Sequence, residues 1–577
     1  MNLLENLRQR KIVQWGLAYL AAAWMLLQLI DVLGGHWGIT DSLARGVDVV
    51  LILGFFVALV LAWYHGEQGR QRVSGPEILI IAGLCGVAGL LLPLLDSSDN
   101  DETAALAVAS ESPATVAGSS IAVLPFSIRS DEKQDEYFAA GIHDELVTNL
   151  AKIEGLKVIS RQSVMQYADT EKSSRQIAAE LGVVTLLEGA VQRGGDRIRV
   201  SAYLTSASDD ERIWAASYDE QLTVASLFQI QSRLASKIAS ALNAELLPGV
   251  QARIDYLPTE NLAAWNLAVR GKYLLDKSRN QKNMEAAVSL FREAIDEDPE
   301  FSPAWSGLAR SIFELSSWHY WDDDVLAESE DAAHRALVLD PDNSEAYATL
   351  GSIYRLYRHF EKSEEALRKA LQLSPGDAAI RSLYSESLRD SGRLDEAVAE
   401  ARRSVAIDPR LMRIREILIQ NLYFNRNWAE AVQEAREMLE LEPDSAYAWY
   451  WIGLASAMAG NNDEAIAASK MAVDVGGNAP YLASGQAFTY AVAGEADLAT
   501  GLLATAEEDG WPLVEIALVY AWLPDLDQAF AYVNRALDER PSSMMYLNTD
   551  PSADPMRKDE RWQILAMRLQ EPADERF

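Results

Sequence analysis

The chain is 577 residues long, beyond the size at which one hydrophobic core keeps growing, so two or three separately packed regions are expected. It has 51 Lys and Arg against 85 Asp and Glu, and residues 1–95 are charge-balanced, so the remainder carries the whole net charge of −34. That field argues against nucleic acid as a partner. The single cysteine, Cys85, lies in an apolar run, which excludes disulfides, thiolate metal sites and a cysteine nucleophile from the rest of the chain.

Three apolar runs near the N-terminus are long enough to cross a bilayer as helices. Six basic residues precede or separate these runs, and none follows the third run until Arg129. Residues 1–95 are therefore predicted to be a three-helix anchor in the lipid bilayer, with a cytoplasmic N-terminus and the later chain outside. Pro93 and three glycines in the third run leave a re-entrant segment as the alternative, which would keep the later chain in the cytoplasm. The runs are Val13–Leu33, Val47–Trp63 and Ile78–Leu95.

Residues 96–118 contain no aromatic side chain and are predicted to be a flexible linker. Residues 119–250 then alternate between strand and helix patterns, which predicts an α/β domain. A turn at Gly194-Gly195 joins two of the predicted strands as a hairpin. The predicted strands are Ile121–Phe126, Leu156–Ser160, Val183–Gln192, Ile198–Ser206 and Arg212–Asp219, and the predicted helices are a segment around residues 137–150, Arg175–Leu181 and Ala225–Leu246.

Four prolines recur at steps of 34 residues, and each closes a similar phrase such as LVLDP or LELEP. A period of 34 is typical of helix-turn-helix solenoids. Small residues occur where two paired helices must approach closely, for example Gly351, Gly453 and Ala397. This pattern strongly resembles tetratricopeptide repeats, and seven to eight repeats are predicted over residues 262–541. The prolines are Pro341, Pro375, Pro409 and Pro443.

Two features interrupt or end this array. The 42-residue step from Pro299 to Pro341 predicts an eight-residue insertion, placed at Ser316–Leu326. Residues 542–577 are predicted to cap the solenoid, because Trp562, Leu565, Ala566 and Leu569 share one helix face. Asn548–Asp559 is predicted to be an extended approach to that helix.

The segments SIAVLPF from Ser120, YFAAGI from Tyr137 and LEGAVQR from Leu187 resemble the domain shared with the amino-terminal part of TolB. Together with the repeats and the membrane runs, the chain resembles a bacterial inner-membrane tetratricopeptide repeat protein with a TolB amino-terminal-like domain. The fold class this implies is transmembrane α-helices, then an α/β domain, then an all-α solenoid. The resemblance implies a bacterial inner membrane and little about activity, and with the orientation predicted from the basic residues the soluble part is expected to be periplasmic.

No phosphate-binding loop, zinc-protease motif, nucleophile elbow or paired CxxC occurs in the chain, so no catalytic residue, cofactor or metal is predicted. His143-Asp144-Glu145 is interpreted as a solvated helix face, since adjacent helix residues point in different directions. Asp322-Asp323-Asp324 is interpreted as a charged insertion tip, with a calcium site as the alternative.

The concave face of a tetratricopeptide array is lined by positions 2, 5, 9 and 12 of each first helix. Arginines at these positions present planar forks suited to carboxylates, which predicts a groove for an acidic or C-terminal peptide. Glu345, Glu386 and Glu416 fall on the same face, so internal pairing is the alternative. The predicted groove residues are Arg310, Arg355, Arg389, Arg413, Tyr423, Tyr447 and Tyr450.

The sequence therefore predicts a non-enzymatic, membrane-anchored scaffold whose repeats recruit a protein or peptide. One alternative is a signalling component, because related chains join the same domains to a nucleotide cyclase or a DNA-binding winged helix, for which the segment before Ser120 has no room. Another alternative is a homo-oligomer in which repeats of neighbouring subunits stack into a ring or filament.

Overall fold

A computed structural model describes residues 119–128, 133–168, 170–209, 211–277, 280–316, 323–477 and 479–572. The predicted membrane anchor and linker, residues 1–118, lie outside these ranges. Within the described ranges, no helix combines the length and the hydropathy that a bilayer crossing requires.

The first described region contains a sheet of six strands in the order β3-β1-β4-β5-β6, with the short β2 also paired to β4. β1 runs parallel to β3 and β4, whereas β4, β5 and β6 form an antiparallel meander. Gly195, with φ of 63°, forms the β4–β5 turn together with Asp196. The strands are β1 Ser120–Val123, β2 Ser127–Ile128, β3 Lys157–Val158, β4 Thr185–Gly194, β5 Arg197–Ser206 and β6 Arg212–Gln221.

Helices cover this sheet, and the predicted α/β architecture and its hairpin are confirmed. The two long helices, α1 and α4, pack against each other and bury residues such as Ile142 and Leu234 between them and the sheet. Short helices fill the connections. The helices are α1 Lys133–Ala151, α2 Arg161–Val164, α3 Ser174–Leu181, α4 Val224–Ala241 and α5 Pro248–Ile254, with a 3₁₀ turn at Met165–Tyr167.

From Leu262 to Glu539 the described residues form eight consecutive helix pairs, so the predicted all-α solenoid is confirmed. The pairs are α6 Leu262–Lys277 with α7 Gln281–Glu297, α8 Ser302–Ser316 with α9 Asp323–Leu339, α10 Ser344–Leu356 with α11 Phe360–Leu373, α12 Ala378–Asp390 with α13 Leu394–Ile407, α14 Met412–Phe424 with α15 Trp428–Leu441, α16 Ala446–Met458 with α17 Asn462–Gly476, α18 Pro480–Ala493 with α19 Ala496–Leu503, and α20 Leu513–Trp522 with α21 Leu526–Glu539.

The small residues of the repeat pattern do hold the paired helices close together. A β-carbon at Gly351 would lie 2.5 Å from Cγ of Leu367 on the partner helix, and one at Gly453 would lie 3.2 Å from the backbone nitrogen of Ser469. The four prolines fall in the turns between one pair and the next, where a missing N–H removes no helical hydrogen bond.

Residues 541–572, here called the C-terminal segment, follow the last pair. They contain 3₁₀ turns at Pro541–Met544 and Pro551–Ala553, α22 Asp554–Arg557 and α23 Arg561–Gln570. The prediction of an extended stretch over Asn548–Asp559 is therefore wrong. Leu547, Ala553 and Met556 are fully buried there, and burial of apolar side chains favours compact turns in which the backbone polar groups find partners.

The helix predicted to cap the array corresponds to α23, which lies on α21. Arg561 contacts Asp527 at 2.8 Å, and Arg568 contacts Asp538 at 2.8 Å. Leu565 and Leu569 are buried on the side that faces the array.

The insertion predicted at Ser316–Leu326 overlaps residues 317–322, which lie outside the described ranges; α8 ends at Ser316 and α9 begins at Asp323. One carboxylate of the Asp322–Asp324 run therefore also lies outside them. Among the described residues, no group of three or more His, Cys, Asp or Glu side chains is arranged to hold a metal ion.

The interpretation of His143 and Asp144 as a solvated helix face is wrong. His143 is 1% exposed, and its Nε2 lies 2.8 Å from the carbonyl oxygen of Val123. Burial lowers the pKa of His143 to about 4, so the ring is neutral near pH 7. Asp144 forms a 2.7 Å ion pair with Lys272 of α6, because the first repeat packs directly on α1.

Candidate functional site

A cavity of about 660 Å³ lies along the first helices of the repeat array. Every one of the eight pairs contributes a lining side chain from its first helix, as expected for the inner face of such a solenoid. One such residue from each of α6, α8, α10, α12, α14, α16, α18 and α20 is, in that order, Asp276, Arg310, Arg355, Arg389, Arg413, Tyr450, Phe488 and Glu515.

The α/β domain forms one wall of this cavity. The backbone nitrogen of Gly376, between α11 and α12, donates to the carbonyl oxygen of Ala151 at 3.0 Å. The backbone nitrogen of Ser160 donates to a carboxylate oxygen of Asp408 at 3.0 Å. These contacts join the end of α1 and the start of α2 to two loops between repeats, so the domain and the array enclose the cavity together.

The C-terminal segment also lines the cavity, through Met545, Tyr546, Asp550 and Ser552. The Ser552 hydroxyl is 2.8 Å from the Tyr423 hydroxyl, and the Ser552 carbonyl accepts from Trp522 Nε1 at 2.8 Å. Arg426 holds both carboxylate oxygens of Asp554, at 2.6 and 2.8 Å. Since these partners are spread over α14, α20 and the loop after α14, the segment spans several repeats and does more than cover the last pair.

Two of the predicted groove arginines are structural. The side chains of Arg355 and Arg389 are 6% and 4% exposed, and both contact Asp390, at 2.6 and 2.7 Å. Arg389 also lies over the ring of Phe424, with its guanidinium carbon 4.9 Å from the ring centroid. Charge reversal of either arginine would therefore perturb folding, so it would not report on binding.

Arg310 and Arg413 keep about a third of their side chains exposed, at 34% and 37%. Arg310 contacts Asp276 at 3.1 Å and Glu345 at 3.3 Å. Arg413 contacts Glu416 at 3.2 Å and Glu386 at 3.6 Å. The alternative in which the glutamates of this face pair with the arginines is thus what the structure contains.

The three predicted tyrosines lie together near the C-terminal segment. Tyr423 is 1% exposed, and its ring centroid is 5.1 Å from that of Trp451. Tyr447 accepts a hydrogen bond from Gln420 Nε2 and lies beside Tyr450, with centroids 6.3 Å apart. Tyr423 and Tyr450 line the cavity, so their aromatic faces are part of the site.

Lys272 connects the α/β domain to the repeats in a way that the sequence did not indicate. Burial opposes its charge, but the carboxylates of Asp144, Glu345, Glu145 and Asp276 outweigh burial and raise the pKa of Lys272. Burial likewise opposes charge on Asp144, yet Lys272 lowers its pKa overall. Both groups therefore stay charged near neutral pH, and they fix α6 against α1.

Glu515 of α20 is the other functional candidate that sequence reasoning missed. It lines the cavity, and burial together with the neighbouring Asp550 raises the pKa of Glu515 to about 7. The 34-residue spacing of prolines ends at Pro443. Repeat positions assigned from that spacing therefore do not extend to α20. The run of apolar residues around Glu515, LVEIALVYAW, was the one local signal of an isolated carboxylate on a buried helix.

Two protein-family models match the α/β domain and part of the repeat array. Residues 117–239 match the second domain of HilA/YgeH-like transcriptional regulators, and residues 357–411 and 418–483 match the tetratricopeptide repeat. The resemblance of the first of these regions to TolB stays a prediction.

A putative adenylate cyclase 3 of Rhizobium meliloti (strain 1021) is 32% identical over 248 residues, which are 42% of this chain. The chain spans about two fifths, 41%, of the length of that relative.

Several solved structures match parts of the chain. Yeast Tom70 is 13% identical with a TM-score of 0.35, covering 60% of this chain and 82% of that one. A tetratricopeptide repeat protein from Parabacteroides merdae ATCC 43184 is 16% identical with a TM-score of 0.33, covering 42% and 98%. YrrB, a TPR protein with an unusual peptide-binding site, is 20% identical with a TM-score of 0.26, covering 33% and 95%. From the family match and the eight helix pairs, the chain contains tetratricopeptide repeats.

Proposed function

We propose that this chain is a protein–protein interaction scaffold whose repeat array binds a segment of a partner protein in its internal cavity. The observation that carries the proposal is the cavity of about 660 Å³ to which the first helices of all eight pairs contribute. A continuous surface of this kind suits an extended ligand, because successive repeats present successive side chains to it.

The cavity is acidic overall, which bears on the ligand. Its lining contains eleven carboxylates against eight lysines and arginines. Four of the predicted groove arginines are already paired with carboxylates of the array. The acidic peptide predicted from the arginines is therefore disfavoured, and a neutral or basic segment fits the charge of the cavity better.

Site-specific photo-crosslinking tests the proposal. A photoreactive residue is placed at Thr349, which lines the cavity, or at Val338, which is 72% exposed on α9 and serves as control. We expect crosslinks to a partner segment from position 349 and not from position 338, and the mapped segment should bind as a synthetic peptide. Equal crosslinking from both positions, or no binding of the mapped segment, would overturn the proposal.

We further propose that residues 1–95 anchor the chain in the bacterial inner membrane by three helices and that the soluble part is periplasmic. The apolar runs and the distribution of basic residues support this. An alkaline phosphatase fusion after residue 96 should be active, whereas a fluorescent protein that folds only in the cytoplasm should be dark there. The reverse result would favour two crossings.

A second candidate is a regulatory component of a signalling system that is related to cyclases or transcriptional regulators. It is supported by the match of residues 117–239 to a regulator domain and by the relative named as a putative adenylate cyclase. A cyclase assay on the full chain separates the candidates. Formation of cyclic nucleotide would overturn the view that the chain acts as a non-enzymatic scaffold.

A further inference from the structure

One end of the cavity combines aromatic side chains with a carboxylate. Glu515 lies on α20, and Tyr423, Tyr450 and Phe488 come from α14, α16 and α18. Tyr546 of the C-terminal segment completes the group, and its ring centroid lies 6.1 Å from that of Phe424. Four elements thus contribute aromatic rings to the cavity that this carboxyl group also lines.

The Glu515 carboxylate has no cationic partner among the residues that the structure describes. Its hydrogen bond comes from the Tyr546 hydroxyl, at 3.4 Å, and another carboxylate, Asp550, is a charged neighbour that raises its pKa further. Asp550 has its own role, since it accepts the backbone N–H of Ser552 at 2.7 Å and caps the 3₁₀ turn at Pro551–Ala553. Elsewhere in the cavity, Arg310, Arg355, Arg389 and Arg413 all have carboxylate partners.

An uncompensated carboxylate in apolar surroundings is unfavourable, because burial disfavours the charged form. Burial is the largest cause of the raised pKa of Glu515, and Asp550 adds to it. Such a group is stabilised when a cation enters the cavity. The faces of tyrosine and phenylalanine rings attract organic cations in the same place. Mg²⁺ and Ca²⁺ instead take six or more oxygen ligands, and among the described residues no group of three or more His, Cys, Asp or Glu side chains is arranged to hold a metal ion.

We propose that Glu515, Tyr450, Phe488 and Tyr546 form a subsite for the basic side chain of a bound peptide, which pairs its ammonium or guanidinium group with the carboxylate. This inference rests on the proposed function, since the subsite lies within the cavity assigned to the partner segment. The net negative charge of the cavity lining agrees with a basic ligand. The subsite sets which residue the peptide must carry, and the rest of the cavity positions its backbone.

A displayed library of random dodecapeptides, selected on the full chain, tests the inference. The tightest peptide is then titrated against the wild type, Glu515→Gln and Glu508→Gln. Glu508 is an exposed glutamate, so Glu508→Gln makes the same change in net charge away from the cavity. The peptide is also made with its lysine or arginine replaced by norleucine, and free arginine amide is titrated as a probe of a small-molecule ligand.

We expect selected peptides to share a basic residue, and Glu515→Gln and the norleucine peptide each to weaken binding at least tenfold, with Glu508→Gln within twofold of wild type. Peptides without a basic residue, or equal losses in both variants, would overturn the subsite and leave the proposed function standing. Tight binding of arginine amide with no gain from the peptide would also overturn it, in favour of a small cation. Failure to select any peptide would overturn the proposed function.

Two variants of Tyr450 separate a loss of the aromatic ring from a change in folding. Tyr450→Phe keeps the ring and removes only the hydroxyl, whereas Tyr450→Leu removes the aromatic face and keeps an apolar side chain. We expect the leucine variant to weaken binding of the basic peptide at least fivefold more than that of the norleucine peptide. Equal effects on the two peptides would mean that Tyr450 acts by packing alone and would overturn its role in holding the cation.

Discussion

The backbone nitrogen of Gly376 lies 3.0 Å from the carbonyl oxygen of Ala151, and this hydrogen bond joins the repeat array to the α/β domain. A β-carbon at position 376 would lie 2.9 Å from the carbonyl oxygen of Leu156 and 3.2 Å from that of Ala151. Neither carbonyl can move easily, since both belong to backbone. The glycine is therefore required by the contact between the two parts.

We expect Gly376→Ala to destabilise the protein by about 1–3 kcal/mol, the usual cost of forcing extra atoms into a close contact. The measurement is the shift of the urea unfolding midpoint. Gly501→Ala is the matched control, because a β-carbon at Gly501 meets nothing within 4 Å and alanine is a better helix residue. An unchanged unfolding midpoint for Gly376→Ala would mean that the α/β domain and the repeat array are packed less closely than in the structure.

The buried pairs around Asp390 should contribute strongly to folding. Asp390 is fully buried in its side chain and contacts both Arg355 and Arg389. Asp390→Asn removes the negative charge that contacts two buried guanidinium groups. We therefore expect a loss of about 3–5 kcal/mol in the free energy of unfolding. Glu507→Gln, which breaks an exposed pair with Arg535, should cost less than about 1 kcal/mol. Similar costs for both variants would contradict this account.

The C-terminal segment should behave as part of the core. Met556 is fully buried and Met567 is 60% exposed, although both belong to this segment. Met556→Ala should destabilise the chain by about 2–5 kcal/mol through the cavity it leaves. Met567→Ala should stay within about 0.5 kcal/mol of wild type. Equal midpoints in chemical unfolding would show that the segment does not pack on the array in solution.

The stability contribution of Glu515 should depend on pH with a defined sign. Folding raises its pKa from about 4.5 to about 7, so between these values the folded chain binds a proton that the unfolded chain has lost. Stability therefore falls as pH rises through this window. The groups facing Glu515 are Tyr423, Tyr450 and Tyr546, whose pKa values burial raises well above 10, and Asp550, whose pKa burial also raises.

We accordingly expect Glu515→Gln to be more stable than wild type at pH 8, by about 1–3 kcal/mol, and equal to it at pH 4. Thermal unfolding at both pH values measures this, with Glu508→Gln as the charge-matched control. If Glu515→Gln is more stable and also binds the peptide more weakly, Glu515 is a residue that serves binding and destabilises the fold. Equal stabilities of Glu515→Gln and Glu508→Gln at pH 8 would contradict the claim that the Glu515 carboxylate is uncompensated.

Much of the architecture could be predicted because its signals are local. The 34-residue spacing of the prolines, Gly351 at a close approach of helices, and the turn at Gly195 each act over a few neighbouring residues. Six of the seven predicted groove residues line the cavity. The partners of Arg355 and Arg389 could not be predicted, because their burial depends on how Asp390 and the adjacent helices surround them.

The succession of an α/β region and a helical solenoid is encoded locally, since hydrophobic periodicity and turn residues are properties of short segments. Which charges are compensated depends instead on the packing of segments that are distant in the chain. Glu515 meets Tyr423 and Tyr546 across separations of 92 and 31 positions in the chain, and the 34-residue spacing connects neither pair. An electrostatic environment is a sum over all neighbours in space, so the proposed subsite depends on how the repeats and the C-terminal segment pack together.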